Sequence, residues 1–169
     1  MLLFLSPLFV VAQTKWTAYE YNISFKIKNA GINVSGKFTG LKTELKFSPD
    51  KLEASRLKGS VDVPTIKTGI DKRDKDLLGE KYFNADQYKL IEVSSTKISR
   101  AGNQFTGTFN VTIKGVTKQV EIPFEFNQSG NNAEFRGTFT IHRSDFGIGG
   151  KTLTMSDEAD VSILVKAKS

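Results

Sequence analysis

Moving protons or chemical groups requires nucleophiles, bases or metal ligands held close together, and this chain is poorly supplied with them. It has one histidine, His142, and no cysteine, which excludes thiolate nucleophiles, disulfides and thiolate metal sites. A Ser-His-Asp arrangement would have to be built from the sequence neighbours Ser144 and Asp145, and no nucleophile elbow accompanies them. His142 also falls out of phase with the alternating row Phe139 and Ile141, so it is expected on the outer surface. One histidine among scattered carboxylates matches no metal-ligand spacing.

The carboxylates that do cluster, in IDKRDKDLLGEKYFNAD, alternate with Lys72, Arg73 and Lys75. That pattern suits i to i+4 pairing on an exposed helix better than an acid and base pair. Gly147, Gly149 and Gly150 are followed by neither a helix nor the Lys-Ser/Thr ending of a phosphate loop, and read as a flexible rim. No catalytic residue, no metal and no cofactor is therefore expected. Arg143 keeps the inward parity of Phe139 and Ile141 and has two readings: a donor to a polar or anionic head group, or a partner of Asp145 or Asp157 that fixes the loop. Arg73-Asp74 has the same two readings, a head-group contact or a structural ion pair, and the pattern favours the ion pair.

The apolar residues say more. The chain has 13 phenylalanines against a single tryptophan, Trp16, and most of them sit in short alternating runs, the signature of half-buried strands. NISFKIK places Ile23, Phe25 and Ile27 on one side and Ser24, Lys26 and Lys28 on the other. The row Ile32, Val34, Gly36, Phe38 changes parity at Gly40 and resumes as Leu41, Thr43, Leu45 and Phe47, as a glycine bulge in one long bent strand would dictate. Leu57, Gly59, Val61 and Val63 alternate up to Pro64, and further rows run through Ile91 to Ser95, Phe105 to Ile113, Val120 to Phe126, Phe135 to Ile141, and Val161 to Val165. Ala101-Gly102-Asn103 and Lys114-Gly115 mark hairpin turns.

Between Lys67 and Gln87 the alternation stops, and Leu77, Leu78, Tyr82 and Phe83 take helical spacing, which predicts a short helical segment in a long connection around residues 70–88. Strands with one apolar and one polar face make a sandwich or a closed barrel. The glycine break and the repeated pairing of a bulky Phe with a Gly two residues away lean toward a barrel. The all-β expectation is thus roughly eight antiparallel strands that lean toward a closed barrel. Its shared parity puts Phe25, Ile27, Phe38, Phe47, Val61, Val63, Phe109, Val111, Phe124, Phe139 and Ile163 on an apolar tunnel wall.

MLLFLSPLFVVAQ opens the chain with an apolar stretch of about ten residues, too short to span a bilayer and ending in Val10-Val11-Ala12. Residues 1–12 are therefore expected to be a signal peptide and residues 13–169 one exported domain, periplasmic or secreted. No Lys or Arg precedes the apolar stretch, a departure from the usual signal pattern. The net charge is +6, but the lysines are scattered singly with no basic block, so nucleic acid is not an expected partner.

Several motifs recur in one order: Trp16, NISFKIKNAGI, GKFTGL, Thr68-Gly69 with Arg73-Asp74 and Leu77, Tyr82-Phe83-Asn84, TIKGVTK, and RSDFGIGG with MSDEADVSI. In this order the chain resembles the YceI-like family from Gln13 to Ser169. The resemblance implies a lipocalin-like, extended eight-stranded antiparallel barrel that binds a polyisoprenoid or similar amphiphilic lipid in an apolar tunnel and needs no catalytic residue. The histidines usual in the family near the first strand are replaced here by Tyr19-Glu20-Tyr21-Asn22 and Asn29, and another by Lys75-Asp76, which bears on head-group preference. The expected partner is a long-chain lipid such as a polyisoprenoid, an isoprenoid quinone or a fatty acid, with transient contact to a membrane surface and a homodimer both left open. The rival readings are a barrel filled by its own phenylalanines that serves as an interaction module, and a lipid-acting enzyme relying on His142.

Overall fold

The alternating runs all become strands. The structure, a computed structural model, describes residues 13–169, so the expected signal peptide lies outside the described residues. Nine strand segments appear in chain order: β1 Lys15–Asn29, β2 Ile32–Phe38, β3 Lys42–Lys46, β4 Arg56–Asp62, β5 Leu90–Ala101, β6 Gln104–Ile113, β7 Val116–Ser129, β8 Asn132–His142 and β9 Met155–Lys168. Each pairs antiparallel with its neighbours in one sheet, and β1 pairing with β9 closes that sheet into a barrel.

β2 and β3 both lie against β1 and share one register, Ile23 opposite Phe38 and Trp16 opposite Leu45. They are two halves of one bent strand, which makes the barrel eight-stranded. The bend is at Gly40, whose φ of 72° suits glycine, and the inward side switches there from Phe38 to Leu41, as the sequence pattern implies. β1 answers with its own irregularity at the same level: Ala18 opposes Ala167 but Glu20 opposes Lys166, so the inward row shifts from Trp16 and Ala18 to Ile23, Phe25 and Ile27. Two adjacent strands that kink together keep both apolar rows inside. The hydroxyl of Tyr21 spans the break, accepting the N–H of Gly40 at 3.1 Å and of Leu41 at 3.4 Å.

Hairpin chemistry follows the turn residues. Lys114 and Gly115 both have positive φ, 50° and 75°, as do Ala30 and Gly31 at 50° and 76°, the backbone of two-residue loops whose twist matches the flanking strands. The connection after β4 carries the expected helix, α1, at Asp71–Leu78. α1 is tied to β2 through Thr68, which packs against Gly36. The Asp74 carboxylate accepts the Thr68 N–H and hydroxyl, while the Arg73 guanidinium donates to the Thr68 hydroxyl and carbonyl. The expected Arg73-Asp74 pair is therefore replaced by a shared clamp on Thr68, with Lys67 Nζ 3.8 Å from Asp74. The Thr68 hydroxyl, opposed by burial, holds the Asp74 carboxyl below the usual carboxylate range.

The barrel interior is packed unevenly. At one end Phe47 is fully buried among Phe105, Phe124, Phe126 and Phe135, at ring-centroid distances of 4.8 to 5.7 Å. Trp16 closes that end, its indole N–H donating to the Phe47 carbonyl at 2.9 Å. Toward the other end the inward residues Phe25, Ile27, Phe139, Ile141, Val161 and Ile163 are only partly buried, although they face the barrel axis. Inward apolar side chains that keep accessible surface are bordering empty space.

Candidate ligand-binding site

That empty space is a cavity of about 250 Å³ whose accessible lining is almost wholly apolar. An apolar cavity of about 150 Å³ already stays dry and accepts a benzene-sized guest. Its wall runs along β9 from Ala159 through Val161 and Ile163 to Val165, roughly 20 Å of strand and about 15 Å along a tilted barrel axis.

Among the residues predicted from parity, Phe25, Ile27, Phe38, Val61, Phe109, Val111, Phe124, Phe139 and Ile163 lie on this wall. Two do not. Phe47 is behind the floor, in contact with Phe124 and Phe135, whose rings end the cavity. Its parity is right but its depth is wrong, because period-two alternation reports which side a residue faces and not how far along the axis it lies. Val63 follows the last residue of β4, Asp62, and begins the 3-10 turn Val63–Thr65 around Pro64, so strand alternation no longer applies; it is buried outside the cavity. The predicted tunnel is thus a pocket with an aromatic floor.

The open end is roofed by segments with no strand pattern. Leu77 of α1, with Tyr82 and Phe83 behind it, covers one side, and Ile148 and Met155 cover the other; Phe83 meets Phe38 edge to face at 5.8 Å. The two sides are stitched together, because the Gly149 N–H donates to the Lys81 carbonyl at 2.8 Å. Lys114 Nζ bridges the carbonyls of Glu80 and Gly147 at 2.8 and 3.0 Å. Leu77 and Phe83 are visible as helical spacing within the broken region, whereas Ile148 sits in the glycine-rich loop and Met155 is the first residue of β9, ahead of the alternating row Val161 to Val165, so no periodicity finds either.

Arg143 reaches the wall, 6% exposed, but its guanidinium is already engaged. Nε donates to the Ser156 carbonyl at 2.9 Å, Nη1 to Ile148 and Gly150 at 2.7 Å each, and Nη2 to Met155 at 3.3 Å. Among the described residues it pairs with neither Asp145 nor Asp157. Asp157 instead takes the backbone N–H and hydroxyl of Ser144, the hydroxyl first among the causes that keep its carboxyl below the usual range. Four donations to carbonyls leave one N–H of the fork, so Arg143 acts first as the clamp on the loop over residues 148–156. Arg143→Lys, which keeps the charge and loses the fork, is expected to lower stability by about 2 kcal/mol. It should also raise amide exchange across residues 147–156, and unchanged exchange there would remove the clamp.

His142 is outside the wall, its side chain 52% exposed and its Nδ1 3.4 Å from Asp157. Among the described residues, no group of three or more His, Cys, Asp or Glu side chains could hold a metal ion. No helix among them is long and apolar enough to cross a membrane.

With this geometry in hand, comparison with known proteins places the chain. A UPF0312 protein of Pseudomonas paraeruginosa is 26% identical over 175 residues, covering 95% of this chain and 92% of that protein. One from Vibrio cholerae is 28% identical over 135 residues, covering 75% of this chain and 71% of that protein. The crystal structure of Burkholderia cenocepacia BcnA superposes with a TM-score of 0.84 at 26% identity, covering 88% of this chain and 96% of that one. A polyisoprenoid binding domain from Saccharophagus degradans, implicated in plant cell wall breakdown, shares the fold with a TM-score of 0.70 at 13% identity, covering 92% and 97%. The profile of the YceI-like domain matches residues 16–167, nearly the whole barrel from the Trp16 plug to the last strand, and the chain belongs to that family.

Proposed function

We propose that this protein holds the tail of a long-chain amphiphile, such as a polyisoprenoid, an isoprenoid quinone or a fatty acid, in the barrel cavity, for transport or storage. The observation that carries the reading is the cavity itself: about 250 Å³ of space inside the barrel lined almost entirely by apolar side chains. Each methylene buried there contributes about 0.8 kcal/mol before ordering and association costs are subtracted. The tail, not the head, therefore sets affinity. The polyisoprenoid-binding description of the Saccharophagus domain supports the same class of ligand. A barrel filled by its own phenylalanines describes only the plugged half around Phe47.

Because the Phe124 and Phe135 floor closes the pocket, the tail enters from the roofed end and its terminus rests on aromatic rings. The head group stays near the loop that Arg143 clamps. The signal peptide expected at residues 1–12 completes the proposal as an exported carrier, periplasmic or secreted. Native mass spectrometry of the full protein purified without detergent, followed by organic extraction, tests it. A bound mass that matches an extracted long-chain lipid is expected. Ligand-free protein that also fails to bind added polyprenol or fatty acid would overturn the proposal.

A further inference from the structure

The largest exposed aliphatic side chains gather at the open end of the barrel. Leu153 is fully exposed, Ile32 is 69% exposed and Ile70 is 52% exposed. They are far apart in sequence and neighbours in space. The Ala30 N–H in the β1–β2 turn donates to the Thr154 carbonyl at 2.7 Å, which sets Leu153 beside the turn that leads into Ile32, the first residue of β2. Lys67 bridges Lys37 on the free edge of β2, so the chain leading to Ile70 runs back along β2 toward the same rim. Asn29 pairs with Met155, and Met155 and Ile27 line the cavity mouth. The apolar tips therefore surround the entrance.

Basic residues surround the tips. The stretches 28–33, 67–73 and 150–155 carry Lys28, Lys67, Lys72, Arg73 and Lys151, with Asp71 as their one carboxylate. Lys28, Lys72 and Lys151 are exposed and make no ion pair among the described residues.

From this arrangement we infer that the rim of the open end is a docking surface for an anionic lipid bilayer. Three aliphatic tips on separate segments offer roughly 300 Å² of apolar surface, well short of the about 800 Å² per partner that a stable protein interface buries. Isolated apolar tips ringed by unpaired lysines suit a headgroup region, where the tips enter the acyl boundary and the lysines meet lipid phosphates. Each lysine near an anionic surface strengthens binding about five-fold. The purpose of this docking rests on the lipid-carrier reading: it sets the pocket mouth against the membrane, so that a tail passes between bilayer and barrel without crossing water.

The test uses the full protein in two assays. Sedimentation with vesicles of phosphatidylcholine, with or without phosphatidylglycerol, reads docking; binding of a fluorescent long-chain fatty acid in the absence of vesicles reads the cavity. Wild-type protein is expected on the phosphatidylglycerol vesicles, weakened by salt. An Ile32→Ser/Leu153→Ser double variant should bind them at least ten-fold more weakly, and a Lys28→Glu/Lys151→Glu variant should lose the preference for phosphatidylglycerol. Both should bind the fatty acid and melt as wild type does, since all four side chains lie outside the cavity and the core. The docking inference is overturned if wild-type protein ignores both vesicle types or if both double variants dock unchanged. It is equally overturned if light scattering shows a wild-type dimer that the serine variant dissolves. Loss of fatty-acid binding in wild-type protein that still docks would overturn the carrier reading and leave this one standing.

Discussion

Replacing Gly59 with phenylalanine is expected to weaken binding of long-chain lipid about 100-fold while leaving the barrel folded. Gly59 keeps the inward parity of Leu57 and Val61 and lies on the cavity wall. A Cβ placed there meets nothing closer than Val93 at 3.6 Å, an ordinary contact, so a ring at this position extends into the empty space. Occupying the room of three or four methylenes removes about 3 kcal/mol of tail burial, close to a hundred-fold in affinity. Stability should change by less than about 1.5 kcal/mol, because the ring fills a void instead of displacing packed atoms. Titration with fatty acids of increasing length checks this. Equal affinity of variant and wild type at every length would mean that the tail does not occupy this cavity.

Gly59 is informative because two other inward glycines, Gly36 and Gly107, behave differently. At Gly36 a Cβ would collide with the Phe25 ring, and at Gly107 with the Phe109 ring, so the space those glycines vacate is already taken by neighbouring phenylalanines. The alternation of bulky and minimal residues was legible in the sequence and points correctly to a closed barrel. Which glycine faces open space and which one receives a ring depends on rotamers and on cross-strand register, Phe25 opposite Gly36 for instance, and neither is written in a single strand's pattern.

The same distinction separates what else was and was not readable. Parity names the inward side of each strand correctly because one apolar face turns to the barrel interior, and even the switch at Gly40 left a mark in the order of residues. Axial depth left none: Phe47 and Phe38 look alike in sequence, yet one plugs the barrel and the other borders the cavity. The matched kink in β1 was hidden because Tyr19, Glu20 and Tyr21 break the alternation without a glycine. Arg143 was correctly placed on the inward side, but its role depends on the carbonyls of Ile148, Gly150, Met155 and Ser156. Backbone acceptors carry no sequence signature, so the carboxylates Asp145 and Asp157 stood out as its partners instead.

Depth also has an energetic consequence, which makes Phe47 the sharper of the two substitutions for stability. Phe47→Ala is expected to cost about 4 kcal/mol, in the middle of the range for a buried phenylalanine, and to lower the melting temperature by roughly 10 °C in a barrel of this size. Its ring touches Phe105, Phe124, Phe126 and Phe135, and those neighbours lean on one another and on Trp16, so the hole does not collapse easily. Phe139→Ala, on a wall that already borders empty space, should cost less than half as much. Removing Phe47 also takes the support from behind the Phe124 and Phe135 floor, deepening the pocket at its closed end. At a temperature where the variant is still folded, it should hold short tails as wild type does and gain affinity for tails too long for the native pocket. Denaturant unfolding together with a chain-length series checks both halves. A loss below about 1 kcal/mol would mean that the plug is not a packed unit, and a folded variant with no change in length preference would mean that the tail does not rest on this floor.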